Sequence, residues 1–252
     1  MTQADPGCER VNPYDGQRAK GEQVREMFDN IAPAYDLMNR MMTLGIDRRW
    51  RRRAVGLVRD RAPRAILDVA TGTGDLAMQL ARTIDGASVT GIDLSEEMLE
   101  VGRRKVASAG MQQRITLEQA DCLDLPFADS TFDAVTVAFG VRNFEHLLDG
   151  YRQMLRVLRP GGMMCVIELS EPTSALVRPF YKLYTRGVIP AVGRLVSHDA
   201  RAYTYLPESI AAAPQGTRMT DLMSQAGFAE ASWLPLTFGV CSIYTAIKPH
   251  TL

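Results

Sequence analysis

From Ala65 onward, short apolar runs alternate with stretches of helical period. Ala65–Ala70 (AILDVA), Ser88–Asp93 (SVTGID), Ile115–Ala120, Phe132–Ala138 (FDAVTVA) and Met163–Leu169 predict five strands. Leu76–Thr83, Glu96–Ala109 and Leu147–Leu158 predict the helices between them. Strands this continuously apolar are buried on both faces, which means a parallel sheet covered by helices on each side. Thr217–Ala226 reads as one more helix, stopped by Gly227. Glu230–Pro235 and Val240–Ile247 then close the chain as two strands whose short connection suits an antiparallel hairpin. Seven strands are expected in all.

The flanks follow other rhythms. Val24, Met27, Phe28 and Ile31 share one helical face, then Leu37, Met38, Met41 and Met42 share another, with Pro33 between them. Residues 21–61 are therefore expected to be helical. Residues 1–20 are polar, carry Pro6, Gly7 and Pro13, and read as a disordered arm. Residues 172–214 break the strand–helix alternation, being rich in aromatics and punctuated by Pro179, Pro190 and Pro207; they read as a helical insertion or lid. The expected organisation is one domain over 21–252, without internal repeats.

Composition adds a few bounds. The 252 residues are 46% hydrophobic, enough for one large α/β domain or two small ones. Twenty-nine basic residues balance 29 acidic ones, so nothing global draws the chain to nucleic acid. No uninterrupted apolar stretch approaches the ~18 residues a membrane span needs, and the polar start does not read as a signal peptide. Cys8, Cys122, Cys165 and Cys241 lie far apart with no Cys-x-x-Cys pair, which suits separate reduced thiols in a cytoplasmic protein.

The strongest chemical motif is Leu67-Asp68-Val69-Ala70-Thr71-Gly72-Thr73-Gly74-Asp75, where a strand ends in a glycine turn and a helix begins. Gly72 and Gly74 let the backbone adopt positive φ and approach a ligand closely. A ligand-free tight turn has the same glycines, and Gly72-x-Gly74-x-x-Ala77 also fits the dinucleotide fingerprint. Three carboxylates favour a nucleoside site. Asp93 ends the second strand, where it can accept both ribose hydroxyls; Asp121 follows the third, placed for an adenine amino group; Asp68 lies near the ligand's cationic end. Each alone could be a helix cap or loop charge. A nicotinamide oxidoreductase is the rival reading. Its Tyr-x-x-x-Lys pair would have to be Tyr244 and Lys248, on a strand that separates them by roughly 13 Å.

Resemblance narrows the choice. Leu155-Arg156-Val157-Leu158-Arg159-Pro160-Gly161-Gly162 resembles the post-motif of class I S-adenosylmethionine-dependent methyltransferases, and Leu67–Gly74 resembles their first motif, with Ala70 where many have glycine. Residues 27–39 (MFDNIAPAYDLMN), 45–50 (GIDRRW), 139–143 (FGVRN) and 197–210 (SHDARAYTYLPESI) resemble signatures of the UbiE/MenG quinone-biosynthesis C-methyltransferases. The likeness runs from about Lys20 to Lys248. It implies a Rossmann-like, seven-stranded fold, S-adenosyl-L-methionine as cofactor, and C-methylation of demethylmenaquinol to menaquinol. A polyprenyl benzoquinol of ubiquinone synthesis is the alternative substrate. The family's cofactor contacts fall at Thr73, Asp93, Asp121 and Cys122, with a further one, usually serine, at Ala138.

Carbon methylation needs an electron-rich carbon, which a quinol supplies once a hydroxyl loses its proton. Arg142, just after the fourth strand, is the candidate phenolate stabiliser, and Asn143 the candidate ring-orienting group; a structural salt bridge is the other reading of Arg142. Tyr35, Asp199, Tyr203 and Tyr205 are candidates to line the substrate pocket, or to pack a lid, with His198 as a reserve base. Arg48, Arg49, Arg51, Arg52 and Arg53 surround Trp50, with Met41, Met42 and Leu44 upstream. The cluster reads either as a solvated helix face or as a peripheral contact with anionic lipid at the inner face of the membrane. No nucleic-acid partner is expected, and a homodimer is left open.

Overall fold

The computed structural model describes residues 6–172, 174, 176–188 and 200–250. Its strands are β1 (Ala65–Val69), β2 (Ser88–Asp93), β3 (Ile115–Gln119), β4 (Phe132–Ala138), β5 (Leu158–Leu169), β6 (Ala229–Leu236) and β7 (Cys241–Ile247). They form one sheet in the order β3-β2-β1-β4-β5-β7-β6. The first five are parallel; β7 runs antiparallel to both β5 and β6. β5 starts earlier than its apolar run, at Leu158, because the Arg159–Gly162 turn pairs with the chain end: Gly161 N donates to Lys248 O and Lys248 N to Gly162 O.

The helices are α1 (Lys20–Ile31), α2 (Tyr35–Thr43), α3 (Asp47–Arg59), α4 (Asp75–Thr83), α5 (Glu96–Ser108), α6 (Leu147–Val157), α7 (Arg178–Leu183), α8 (Ala200–Ala212) and α9 (Thr217–Gln225). Helices α3, α4 and α5 bury their apolar stripes in one core with Ile66, Val89 and Ile167. Helices α6 and α9 fill a second core with Leu67, Val135 and Val166. Residues 66 and 67 thus point to opposite layers, as successive strand residues must. A third cluster of Met27, Ile31, Met38 and Tyr205 joins α1 and α2 to α8. The region read as an insertion is helical where it is described: α7 runs into a π-turn at Tyr184–Val188, and α8 carries Pro207. No helix among the described residues is long and apolar enough to cross a membrane.

The arm expected to be disordered is folded from Pro6 onward. Cys8 is fully buried, and the ammonium of Lys20 donates to the carbonyls of Cys8, Arg142 and Phe144 at 2.6, 3.1 and 3.3 Å. Glu9 accepts the first amide of α6, Leu147 N, at 2.7 Å, where the helix dipole favours a carboxylate. Gln23 takes the backbone amides of Tyr14 and Asp15 on its side-chain oxygen. A polar, proline-bearing sequence hides this order because every partner lies on another element. All four cysteines are free and buried.

Candidate active site at the rim of the sheet

The chain winds from β1 outward to β3, then restarts on the other side with β4. Such a switch leaves a crevice beyond the carboxyl ends of the strands, where α/β sheets bind ligands. Two cavities open there and meet. A cleft is lined by Gly72, Asp93, Asp121, Cys122 and Ala138, with Met98 and Leu123 among its apolar contacts. A larger, mainly apolar chamber lies under α1, α2 and the described helices of the 172–214 region. Phe28, Tyr35, Phe139 and Asn143 line both.

Asp93 organises the cleft. Its two oxygens accept from Gly72 N at 2.8 Å and Ser95 N at 3.0 Å. The first bond fixes the glycine turn, where Gly72 has φ 56°. The second sets Ser95 as the cap of α5, its hydroxyl accepting from Met98 N at 3.1 Å. Burial pushes the Asp93 pKa up, and the amides of Ser95, Gly72 and Leu94 oppose that rise. A carboxylate fixed between a glycine turn and an apolar wall of Ile92, Leu94 and Met98 suits a nucleoside: the acid faces hydroxyls and the wall faces a flat ring. Asp121, exposed, and Cys122, buried, line the cleft as well, and Leu123 N donates to Asp121 at 2.8 Å.

Asp68 has a different place. It pairs in register with Gly91 of β2 and Thr136 of β4. Its oxygens are taken by the hydroxyls of Thr136 at 2.6 Å and Thr71 at 2.7 Å. It borders a small polar chamber beside the glycine turn, with Thr73, Asp75, Arg51 and Asn39, and not the cleft that Asp93 lines. Thr73 is likewise committed: its hydroxyl donates to Asp36 at 2.6 Å and accepts from Lys105 at 3.0 Å. Gly74, with φ 78°, lines neither cavity and serves the start of α4 against Leu117 and Gly102. Ala138 borders the cleft and the polar chamber alike.

Burial raises the Asp68 pKa to about 6, against the help of its two hydroxyl donors. A folded pKa above the unfolded value means that its contribution is full below the ordinary carboxylate range and is lost as pH rises through about 6. The stability of wild type relative to Asp68→Asn is therefore expected to fall between pH 4 and pH 7, where each tenfold weakening of the folded-state acid corresponds to about 1.4 kcal/mol. Urea unfolding of both proteins across that range checks it; parallel pH profiles would remove Asp68 as the titrating group.

The chamber holds the other candidates. Arg142 and Asn143 follow Phe139 in a single 3₁₀ turn that begins at Gly140, where a side chain would collide with the Ala70 Cβ. Arg142 is buried and pairs with Glu168 at 2.6 Å, and the same nitrogen donates to Phe139 O. Its Nε–H is buried and has no partner among the described residues. Burial works against the guanidinium charge, but Glu168, Tyr35 and Tyr205 hold its pKa above the ordinary arginine value. Asn143 accepts from Tyr205 Oη at 3.1 Å, which ties α8 to the turn. Tyr35 borders both cavities and the polar chamber. Asp199 and the reserve base His198 lie outside the described residues, and Tyr203 is described only as part of α8.

Sequence reasoning missed Glu168, although a lone carboxylate near the end of an otherwise apolar strand was its signal. It also placed the 48–53 cluster wholly at the surface. Trp50 is buried, donating to Thr237 at 2.8 Å, and Arg51 is buried between Asp47 and Asp75. Tyr244 and Lys248 border neither cavity; Tyr244 Oη accepts from Gly216 N, and Lys248 binds the carbonyls of Arg156 and Leu158.

Solved structures share this fold. The cyclase SpnF superposes with a TM-score of 0.66 at 18% identity, covering 91% of this chain and 96% of its own. A SAM-dependent methyltransferase from Aquifex aeolicus gives 0.55 at 18% identity, covering 73% and 82%. A cyclase and a methyltransferase on one scaffold show that the site, not the fold, decides activity. Strand order, glycine turn and the carboxylate ending β2 give this chain the class I S-adenosylmethionine-dependent methyltransferase fold, and the family match over most of its length makes it a methyltransferase. The sequence pattern of the ubiE/COQ5 methyltransferase family matches residues 16–248, and the chain belongs to that family. It is 49% identical over 241 residues to a demethylmenaquinone methyltransferase of Porphyromonas gingivalis, spanning 95% of this chain and 98% of that one. It is 45% identical over 230 residues to the ubiquinone/menaquinone biosynthesis C-methyltransferase UbiE of Geobacter sulfurreducens, spanning 91% and 90%.

Proposed function

We propose that this chain transfers a methyl group from S-adenosyl-L-methionine to a ring carbon of demethylmenaquinol, giving menaquinol. One observation supports this above others: the Asp93 cleft and the apolar chamber meet at Tyr35, Phe139 and Asn143, and the chamber is also lined by Arg142, whose buried Nε–H lacks a partner among the described residues. An unpaired buried donor costs free energy until a ligand oxygen takes it.

The donor, when bound, supplies an electrophilic methyl on a cationic sulfur. Asp93 would hold its ribose, Asp121 and Cys122 would border its base, and the backbone of the turn at Gly72 and Thr73 would carry its amino-acid end. Asp68 would act at one remove, by fixing Thr71 beside the glycine turn. In the chamber, the guanidinium of Arg142 favours the ionised quinol oxygen, whose proton leaves to solvent. The ring carbon beside that oxygen would then take the methyl as its bond to sulfur breaks, and would lose its own hydrogen as a proton to solvent so that the ring regains aromaticity. Asn143, held by Tyr205, and Tyr35 set the ring against the junction. Such placement is worth as much as about 7–11 kcal/mol, and apolar walls keep water from the sulfonium. Tyr203 and Asp199 belong to the 172–214 cover in this reading. A polyprenyl tail implies that the protein works at the cytoplasmic face of a bilayer. Every group invoked belongs to one chain, so no second copy is required.

Purified protein, cofactor and detergent-dispersed demethylmenaquinone, kept reduced by dithionite, test it by mass spectrometry. Methylation is expected of the quinol and not of the oxidised quinone. Turnover on a polyprenyl methoxybenzoquinol alone would move the assignment to the ubiquinone branch.

A further inference from the structure

The mouth of the apolar chamber carries two exposed hydrophobic side chains on unfavourable backbone. Leu44, at the end of α2, is 86% exposed with φ 51°; Phe238, between β6 and β7, is 73% exposed with φ 57°. Neither is a residue that tolerates left-handed φ well, and each presents its apolar surface to water. Leu44 borders the chamber itself, and so do Thr237 and Val240 on either side of Phe238. The bond from Trp50 to Thr237 fixes the Phe238 turn against α3. Leu183, 71% exposed, stands beside Tyr184, whose hydroxyl reaches Met42 O at 3.0 Å. Three separate elements thus carry an exposed apolar side chain that lines the chamber or adjoins a residue lining it.

The adjoining face of α3 supplies charge. With Trp50 and Arg51 turned inward, Arg48, Arg49, Arg52 and Arg53 are exposed, and none joins an ion pair among the described residues. The helix has no acidic residue between Arg48 and Arg59 to balance them. Uncompensated arginines beside an apolar rim match one kind of surface, anionic headgroups over hydrocarbon.

We infer that Leu44, Phe238 and Leu183, with the four exposed arginines of α3, form a docking face that sets the chamber mouth on an anionic lipid leaflet. The inference rests on the reading of the chamber as a quinol site: a tailed substrate could then enter without crossing water. Each arginine near such a surface contributes about a fivefold factor in partitioning, so removing two should weaken binding about twenty-five-fold.

Co-sedimentation of the full chain with vesicles, without substrate, tests it. Wild type should bind vesicles of phosphatidylglycerol and phosphatidylcholine far better than phosphatidylcholine alone, and less well in high salt. Phe238→Asp should lose at least tenfold in binding, and R49Q/R53Q about twenty-five-fold. Aspartate accepts left-handed φ better than phenylalanine, so Phe238→Asp should fold at least as well. Both variants should methylate a water-soluble naphthoquinol lacking the isoprenoid tail within twofold of wild type. Equal binding to neutral and anionic vesicles, or unchanged binding by Phe238→Asp, overturns the proposal. So does a vesicle-free dimer that Phe238→Asp dissociates, which would give the face to a second copy. Failure of wild type on the soluble quinol, with vesicle binding intact, counts instead against the quinol reading.

Discussion

Replacing Asp93 by asparagine should weaken binding of S-adenosyl-L-methionine about a hundredfold. The carboxylate accepts two backbone amides, Gly72 N at 2.8 Å and Ser95 N at 3.0 Å, from the two elements that frame the cleft. Bonds to a charged acceptor contribute about 1.5–3 kcal/mol each. An asparagine has one oxygen, so its amide must face one of those N–H groups, and the turn at Gly72 or the start of α5 loses its anchor. The same substitution removes the anionic acceptor offered to a ribose diol. A net loss near 3 kcal/mol corresponds to about two orders of magnitude in Kd. The fold should survive, because Ser95 keeps a second tie, its hydroxyl donating to Asp29 at 2.6 Å. Calorimetric titration measures the affinity, and the cofactor's effect on Tm should shrink in step. An affinity within threefold of wild type would mean that Asp93 serves the turn and not the ligand.

The sheet was legible because continuous apolar runs such as FDAVTVA have no place except between two helical layers, and β2 and β4 end where those runs end. The places of the glycine turn and Asp93 were legible for a related reason: each follows from position at a strand's carboxyl end. What stayed hidden depends on contacts between distant segments. Asp68 looks like a ligand group until its register neighbour Thr136 is known to occupy it. Six basic or aromatic residues in a row, Arg48–Arg53, do not say which face of α3 is buried; Asp47, Asp75 and Thr237 decide that. The order of residues 6–19 is set by Lys20 and Glu9, whose partners are Arg142, Phe144 and Leu147. That arm consequently supports the backbone of the turn carrying Arg142, so a segment read as a disordered arm adjoins the candidate site.

Removing Arg142 should reduce turnover by about 10²–10³, the usual loss when a group stabilising developing negative charge is deleted. A single Arg142→Ala cannot be read by itself, since it also strands the buried Glu168 carboxylate that Arg142 holds at 2.6 Å. Breaking one side of a buried pair costs about 3–5 kcal/mol of stability. The two contributions separate in Arg142→Met combined with Glu168→Gln, which leaves no uncompensated charge and similar volume. Stability should largely return in the double variant, and turnover should not. Cofactor affinity should stay within threefold in both, because Arg142 borders the chamber and not the nucleoside cleft. The pH profile carries a further sign. A cation beside the quinol oxygen lowers the pH at which that oxygen ionises, so its loss should move the rising limb of the rate to higher pH, and alkaline buffer should restore part of the activity. Recovery of turnover together with Tm in the double variant, on an unshifted pH profile, would leave Arg142 as the partner of Glu168 and nothing more.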